Sequence, residues 1–217
     1  MIKYALFDLD GTLTDSQVGI MKALEYSVKQ YGLKLTKEQM RTMIGPPLDV
    51  TYKNTLGFTQ EQSDKATSTF REYYNVTGLF ENEPYKGIEE QLKLNQQQGI
   101  KNLLATSKPE ETAQRILIHF GLDKYFSGMC GGSFDESRSK KSLVIEYALK
   151  TAGIFNEEKQ YAIMIGDRRN DIEGAKANGL KSIGVLWGFG DREELENAGA
   201  DYIITNTEEL SPLLNSL

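Results

Sequence analysis

Two aspartates one residue apart, Asp8 and Asp10, close the apolar run Ala5-Leu6-Phe7. In an extended segment residues i and i+2 point to the same face, so both carboxylates address one spot at the end of a strand. Like charges at that separation repel. A divalent cation between them, a proton retained by one of them, or a plain aspartate turn after the strand would each account for the pair. Gly11 loosens the backbone just beyond, and Thr12 and Thr14 add hydroxyls. Two other apolar runs end in the same way. Leu103-Leu104-Ala105 leads into Thr106-Ser107-Lys108, with Pro109 opening a helix. Ile163-Met164-Ile165 leads into Gly166-Asp167, and Asp171 follows four residues later.

Each group has an ordinary alternative: Thr106-Ser107 as a helix N-cap pair, Gly166-Asp167 as a turn, Asp171 as a solvated helix residue. Their joint placement at strand ends argues otherwise, because ligands of open α/β sheets bind beyond the carboxyl ends of the strands. Carboxylates and hydroxyls converging there suit a hard cation beside a phosphate. Thr106 and Ser107, with the free N–H groups of the next helix, suit the phosphate itself. The positive charge that such a site needs is sought in Arg138-Ser139-Lys140-Lys141.

The elements that must position these groups fall into two textures. Residues 16–80 carry helical periodicity: Ile20, Leu24, Val28 and Tyr31 form one stripe, Gly32 ends it, and Thr36 with Gln39 and Thr59 with Gln62 are capping-box pairs. Gly45-Pro46-Pro47 is a turn between helices. From Tyr85 onward strands alternate with helices, which predicts a parallel sheet covered on both faces. The fold class is therefore α/β, a doubly wound parallel sheet with a small helical bundle inserted after its first strand. The expected division is residues 1–14 with 85–217 as core and residues 15–84 as cap.

The chain has 217 residues and 39% hydrophobic content, enough for a substantial core without staples. A net charge of −6 argues against broad nucleic-acid or membrane-surface binding. No apolar run approaches the roughly 20 residues that span a bilayer. One cysteine, Cys130, excludes an internal disulfide, and no secretory pattern opens the sequence; a cytoplasmic setting is expected. Cys130 reads as a buried small residue and His119, the only histidine, as a helix-end or packing residue. Gly188-Phe189-Gly190 falls short of a complete dinucleotide or Walker loop. Oligomeric state is not legible.

Asp8-Leu9-Asp10-Gly11-Thr12-Leu13, Thr106, Lys141 and Gly166-Asp167 with Asp171 together resemble the four motifs of the haloacid dehalogenase superfamily, in its phosphoglycolate phosphatase-like and 5′-nucleotidase-like branch. The likeness covers essentially the whole chain. The family often has proline after the motif lysine, whereas Ser142 stands here; Lys141 is preferred to Lys140 because Val144-Ile145 begins three residues later. The resemblance implies a Mg²⁺-dependent phosphomonoester hydrolase with Asp8 as nucleophile, Asp10 as general acid and base, and Thr106 and Lys141 stabilising the transferred group. It implies metal binding by Asp8, the Asp10 carbonyl and Asp167, supported by Asp171. Phosphate binding falls to Asp8, Leu9, Asp10, Thr106, Ser107 and Lys141.

The substrate implied is a small phosphorylated metabolite, phosphoglycolate or a nucleoside 5′-monophosphate. Arg41, Gly45, Pro46 and Lys53 of the cap are the candidate substrate contacts. The cap aromatics Tyr52, Phe58, Phe70, Tyr73 and Tyr74 are expected mainly in the bundle core, with reception of a nucleobase as the other reading. A phosphomutase of the same superfamily and a phospho-sensing regulator are the alternatives to a hydrolase.

Overall fold

A computed structural model describes residues 1–44, 48–135 and 137–217. The chain divides into two compact units, Met1–Asp15 with Pro84–Leu217, and Ser16–Glu83. In the first unit the strands are β1 (Tyr4–Phe7), β2 (Thr14–Asp15), β3 (Glu83–Pro84, at the boundary), β4 (Lys101–Pro109), β5 (Phe126–Gly132), β6 (Ala162–Gly166), β7 (Lys181–Val185) and β8 (Tyr202–Ile204). Six of them form one sheet in the order β5-β4-β1-β6-β7-β8, each neighbouring pair parallel. Parallel strands need crossovers and are covered on both faces, so they read as continuous apolar runs. Strand β1, with Ala5, Leu6 and Phe7 fully buried, and β6, buried throughout, are such runs.

The second unit contains α1 (Gln17–Val28), α2 (Lys37–Thr42), α3 (Leu48–Leu56) and α4 (Gln60–Tyr74). Both expected capping boxes are present. Thr36 accepts from the Gln39 N–H while Gln39 accepts from the Thr36 N–H, and Thr59 and Gln62 do the same. The stripe on α1 differs from the expected one. Its buried residues are Gly19, Ala23, Leu24, Ser27 and Val28, while Ile20 is only half-buried and Tyr31 lies in a 3₁₀ turn after the helix. The cause is close packing, since a side chain on Gly19 would overlap the carbonyl of Gly78. The aromatics fill the bundle: Tyr52 stacks on Phe58 and shares a 2.6 Å hydrogen bond with Ser27, and Phe70 stacks on Tyr74. Tyr73 donates to Glu81.

In the first unit the helices are α5 (Ile88–Gln97), α6 (Glu110–His119), α7 (Lys141–Thr151), α8 (Arg169–Ala177), α9 (Arg192–Ala198) and α10 (Leu210–Ser216). Strand β4 alternates faces. Leu103 and Ala105 join Leu6 and Met164 against Val144, Ile145, Ala148 and Leu149 of α7 and Ala175 of α8. Asn102 points the other way, fully buried, and its amide donates to the carbonyls of Leu92 and Tyr125. It also accepts from Asn95 of α5, whose own carbonyl oxygen accepts from Ser211 of α10. No helix among the described residues is long and apolar enough to cross a membrane.

That polar knot was invisible in the sequence and generates a stability prediction. Asn102→Leu leaves the buried Asn95 amide without its acceptor and removes the donors to the Leu92 and Tyr125 carbonyls, each buried unsatisfied group costing about 1–3 kcal/mol. Urea unfolding of the variant is expected to show a loss of roughly 2–4 kcal/mol; an unchanged midpoint would mean that the knot is dispensable.

Candidate active site

Strand β1 lies between β4 and β6, which is where strand order reverses and a crevice opens at the carboxyl ends. Phe7 is in register with Leu104 and Ile165, so the residues that follow all three strands emerge side by side. The Asp8 N–H continues the ladder to the carbonyl of Ile165 at 3.0 Å. Beyond it the chain folds over itself, with the N–H groups of Leu13 and Thr14 both reaching the Leu9 carbonyl. Gly11 has φ +82° and its α-carbon faces Asp167 so closely that a β-carbon would overlap that carboxylate. Only glycine serves both demands.

Asp8, Asp167 and Asp171 each direct a carboxylate oxygen to one place, and these three atoms lie within 4.8 Å of one another. Lys141, the first residue of α7, sits among them: its Nζ is 2.7 Å from Asp8 Oδ1, 2.8 Å from Asp171 Oδ1, and donates to the Ala105 carbonyl at 3.2 Å. Lys140 is exposed at the N-cap of the same helix, so Lys141 is the lysine brought to the carboxylates. Asp171 is 1% exposed, which overturns the solvated-helix alternative; its Oδ2 accepts from the Arg168 N–H at the start of α8. Asp167 accepts from the Thr12 hydroxyl on Oδ1 and from the Phe189 N–H on Oδ2. Asp10 does not join the carboxylate cluster through its side chain. Its Oδ2 is 2.8 Å from Lys108 Nζ, and its Oδ1 is buried without a hydrogen-bond partner.

Burial raises the Asp167 pKa well above the ordinary carboxylate range, and the neighbouring Asp171 and Asp8 add to the rise. For Asp171 burial again dominates; Lys141 pulls the other way, Asp8 adds to the rise, and the result is about 6. Burial works to lower the Lys141 pKa, but Asp171 and then Asp8 outweigh it and hold the ammonium protonated. Asp167 and Asp171 are thus held in a setting that disfavours their own charge. Such a site favours a cation that brings more positive charge than one lysine supplies.

One expectation needs correction. Strand β4 runs on to Pro109 with a register irregularity after Thr106, and α6 begins only at Glu110. Thr106 and Ser107 are therefore strand-end residues and do not cap that helix. Thr106 is buried and its hydroxyl accepts from the Lys108 N–H, whereas Ser107 is exposed. In the helical unit Arg41 is exposed near the end of α2, and Lys53 pairs with Asp49 at 3.5 Å on α3. Gly45 and Pro46 lie outside the described residues. Sequence reading assigned no role to Lys108 or Phe189 and gave Thr12 no partner. The available signal was their position, Thr12 and Phe189 a few residues beyond the ends of β1 and β7 and Lys108 in the last residues of β4.

A match to the family of haloacid dehalogenase-like hydrolases covers residues 5–185. The 5′-nucleotidase of Pseudomonas aeruginosa is 35% identical over 212 residues, which is 97% of this chain and 95% of that protein. The tyrosine-protein kinase PtkA of Mycobacterium tuberculosis is 32% identical over 213 residues, covering 98% of this chain and 71% of that one. The crystal structure of a predicted phosphatase from Clostridium acetobutylicum superposes with a TM-score of 0.93 at 41% identity, covering all of both chains. A parallel sheet with its acidic residues at the switch point and these likenesses along its length lead to one conclusion: the chain belongs to the haloacid dehalogenase-like hydrolase family and stands among its phosphatases.

Proposed function

We propose that this protein is a Mg²⁺-dependent phosphomonoesterase that hydrolyses a small soluble phosphate ester through an aspartyl-phosphate on Asp8, in the cytoplasm. One observation carries the reading: Asp8 meets a buried ammonium and two further carboxylates, while Asp10, two residues on, keeps its side chain out of that cluster. The donor set fits a hard dication, since it consists of carboxylate oxygens, two of them on the buried Asp167 and Asp171, whose ionisation is otherwise disfavoured. Asp8, Asp167 and the Asp10 carbonyl would hold Mg²⁺, with Asp171 in support. Once bound, the ion offsets the repulsion between an anionic nucleophile and an anionic phosphate.

The chain's own residues supply the remainder. The Asp8 carboxylate attacks phosphorus and the ester oxygen leaves as an alkoxide. Asp10 gives that oxygen its proton, then takes one from the water that attacks the aspartyl-phosphate, so acid and base are the same group in alternate states. Lys141 and Thr106 stabilise the non-bridging oxygens; the Leu9 and Asp10 backbone and Ser107 complete the phosphate contacts. The lysine is fixed in place by two carboxylates and the Ala105 carbonyl, so it needs no reorganisation.

A nucleoside 5′-monophosphate is the leading substrate class, on the strength of the relative whose name is 5′-nucleotidase. Phosphoglycolate is the second reading, on the strength of a relative whose name is phosphoglycolate phosphatase, 28% identical over 218 residues. The packing of Tyr52, Phe58, Phe70 and Tyr74 into the bundle leaves those rings no role in holding a base. A screen of nucleoside monophosphates, phosphoglycolate, sugar phosphates and phosphotyrosine in Mg²⁺ decides among them. Phosphate release with turnover supports the hydrolase; a positional isomer formed without release would identify a mutase. A stable phosphoprotein without turnover would identify a sensor.

Two predictions follow from the roles. Asp8→Asn is expected to leave phosphate release at background, and Asp10→Asn to lower kcat by roughly 10²–10⁴-fold, the usual size of a general acid–base contribution. An Asp10→Asn enzyme with wild-type kcat would remove Asp10 from the mechanism. The second concerns pH. Because the folded Asp171 pKa is raised from its ordinary value to about 6, its contribution to the stability of the metal-free protein falls as pH rises from about 4 through about 6. A dication favours the ionised form, so saturating MgCl₂ should raise the melting temperature more at about pH 7.5 than at about pH 5. An equal gain at both would contradict the proposed ligand.

A further inference from the structure

The segment Trp187-Gly188-Phe189-Gly190, just after β7, belongs to no nucleotide loop, yet it is built around one carboxylate. The Phe189 N–H donates to Asp167 Oδ2 at 2.8 Å. The Trp187 indole N–H donates to the Thr12 carbonyl at 3.0 Å, and the Thr12 hydroxyl donates to Asp167 Oδ1 at 3.1 Å. A ring of hydrogen bonds thus runs from Trp187 through Thr12 and Asp167 and back to Phe189. The two glycines permit it. A β-carbon on Gly188 would overlap the Gly11 carbonyl and the Asp167 side chain, and one on Gly190 would overlap the Asp167 carbonyl. Neither needs a left-handed backbone; what each needs is contact at backbone distance.

We infer that Trp187–Gly190 is the positioning element for Asp167, orienting its carboxylate for a divalent cation, and that Trp187 registers occupancy of the site. This rests on the reading of the acidic cluster as the Mg²⁺ site. Each Asp167 oxygen accepts one hydrogen bond from this ring, which sets the rotation of the carboxylate and leaves further lone pairs on both atoms. Outer groups that orient a ligand in this way commonly govern metal affinity by about 10–100-fold. Retraction of the loop frees the carboxylate to turn. Trp187 is the only tryptophan, so indole emission reports on this ring alone.

The test measures Mg²⁺ affinity by calorimetry on wild type, Gly188→Ala and Trp187→Phe, beside the melting temperature of each in EDTA. Gly188→Ala is expected to weaken Mg²⁺ binding by about 10–100-fold and Trp187→Phe by several-fold. A merely structural role would lower the EDTA melting temperature and leave the affinity at its wild-type value, and that result would overturn the inference. Wild type supplies a readout that does not depend on the variants folding. Mg²⁺ should shift Trp187 emission and slow exchange of the Phe189 amide, both with the calorimetric midpoint. Calorimetric binding with emission and amide unchanged would overturn the positioning role while leaving the metal site intact. Absence of Mg²⁺ binding to wild type would overturn the metal reading and this inference together.

Discussion

Mutual repulsion among three convergent carboxylates, two of them fully buried, is the constraint on which the structure turns. Two unit charges 4.8 Å apart repel by about 3 kcal/mol at an effective dielectric near 20. Three such pairs would cost a sizeable share of the ~5–15 kcal/mol by which a folded domain exceeds its unfolded chain. Lys141 offsets part of this. Three negative charges against one positive leave two, the charge of one divalent cation. The upward pKa directions of Asp167 and Asp171 express the same imbalance from the other side, since a retained proton relieves the repulsion.

The fold holds that arrangement by spending secondary structure on it. Asp8 follows the central strand, Asp167 the strand beside it, and Asp171 the first turn of α8, so their backbones are set by the sheet ladder and one helix. Lys141 opens α7, an end where the helix dipole disfavours positive charge. The carboxylates it reaches favour that placement, and they outweigh the burial of the ammonium. A lysine at a helix N-terminus with 5% of its side chain exposed is a cost accepted for the site.

Asp10 is set apart by its different company. Lys108 pairs with one oxygen and nothing among the described residues bonds the other. In the proposed mechanism, side chain and backbone of this one residue would serve separate ends, the carbonyl as a metal ligand and the carboxylate as acid and base. In the helical unit the aromatic content goes into packing, with Tyr52 hydrogen-bonded to Ser27 and burial pushing its phenol up to about 12.

The parallel sheet, the inserted helices and the capping boxes were legible because each is written in local pattern: apolar runs for strands buried on both faces, Thr-x-x-Gln ahead of helices. The acidic cluster was legible because its members stand at predictable places, the ends of those runs. Other features depend on segments far apart in sequence. The role of Asn102 depends on partners that α5 and α10 supply. Gly188 and Gly190 looked like a fragment of a nucleotide loop until β7 was laid beside β6 and their backbone met Asp167. Strand and helix type follow from neighbours within a few residues, so the chain by itself determined them, along with which residues would stand at the strand ends. Which lysine reaches which carboxylate, and which glycine must stay bare, depend on distances between segments up to 175 residues apart; only the folded sheet decided those.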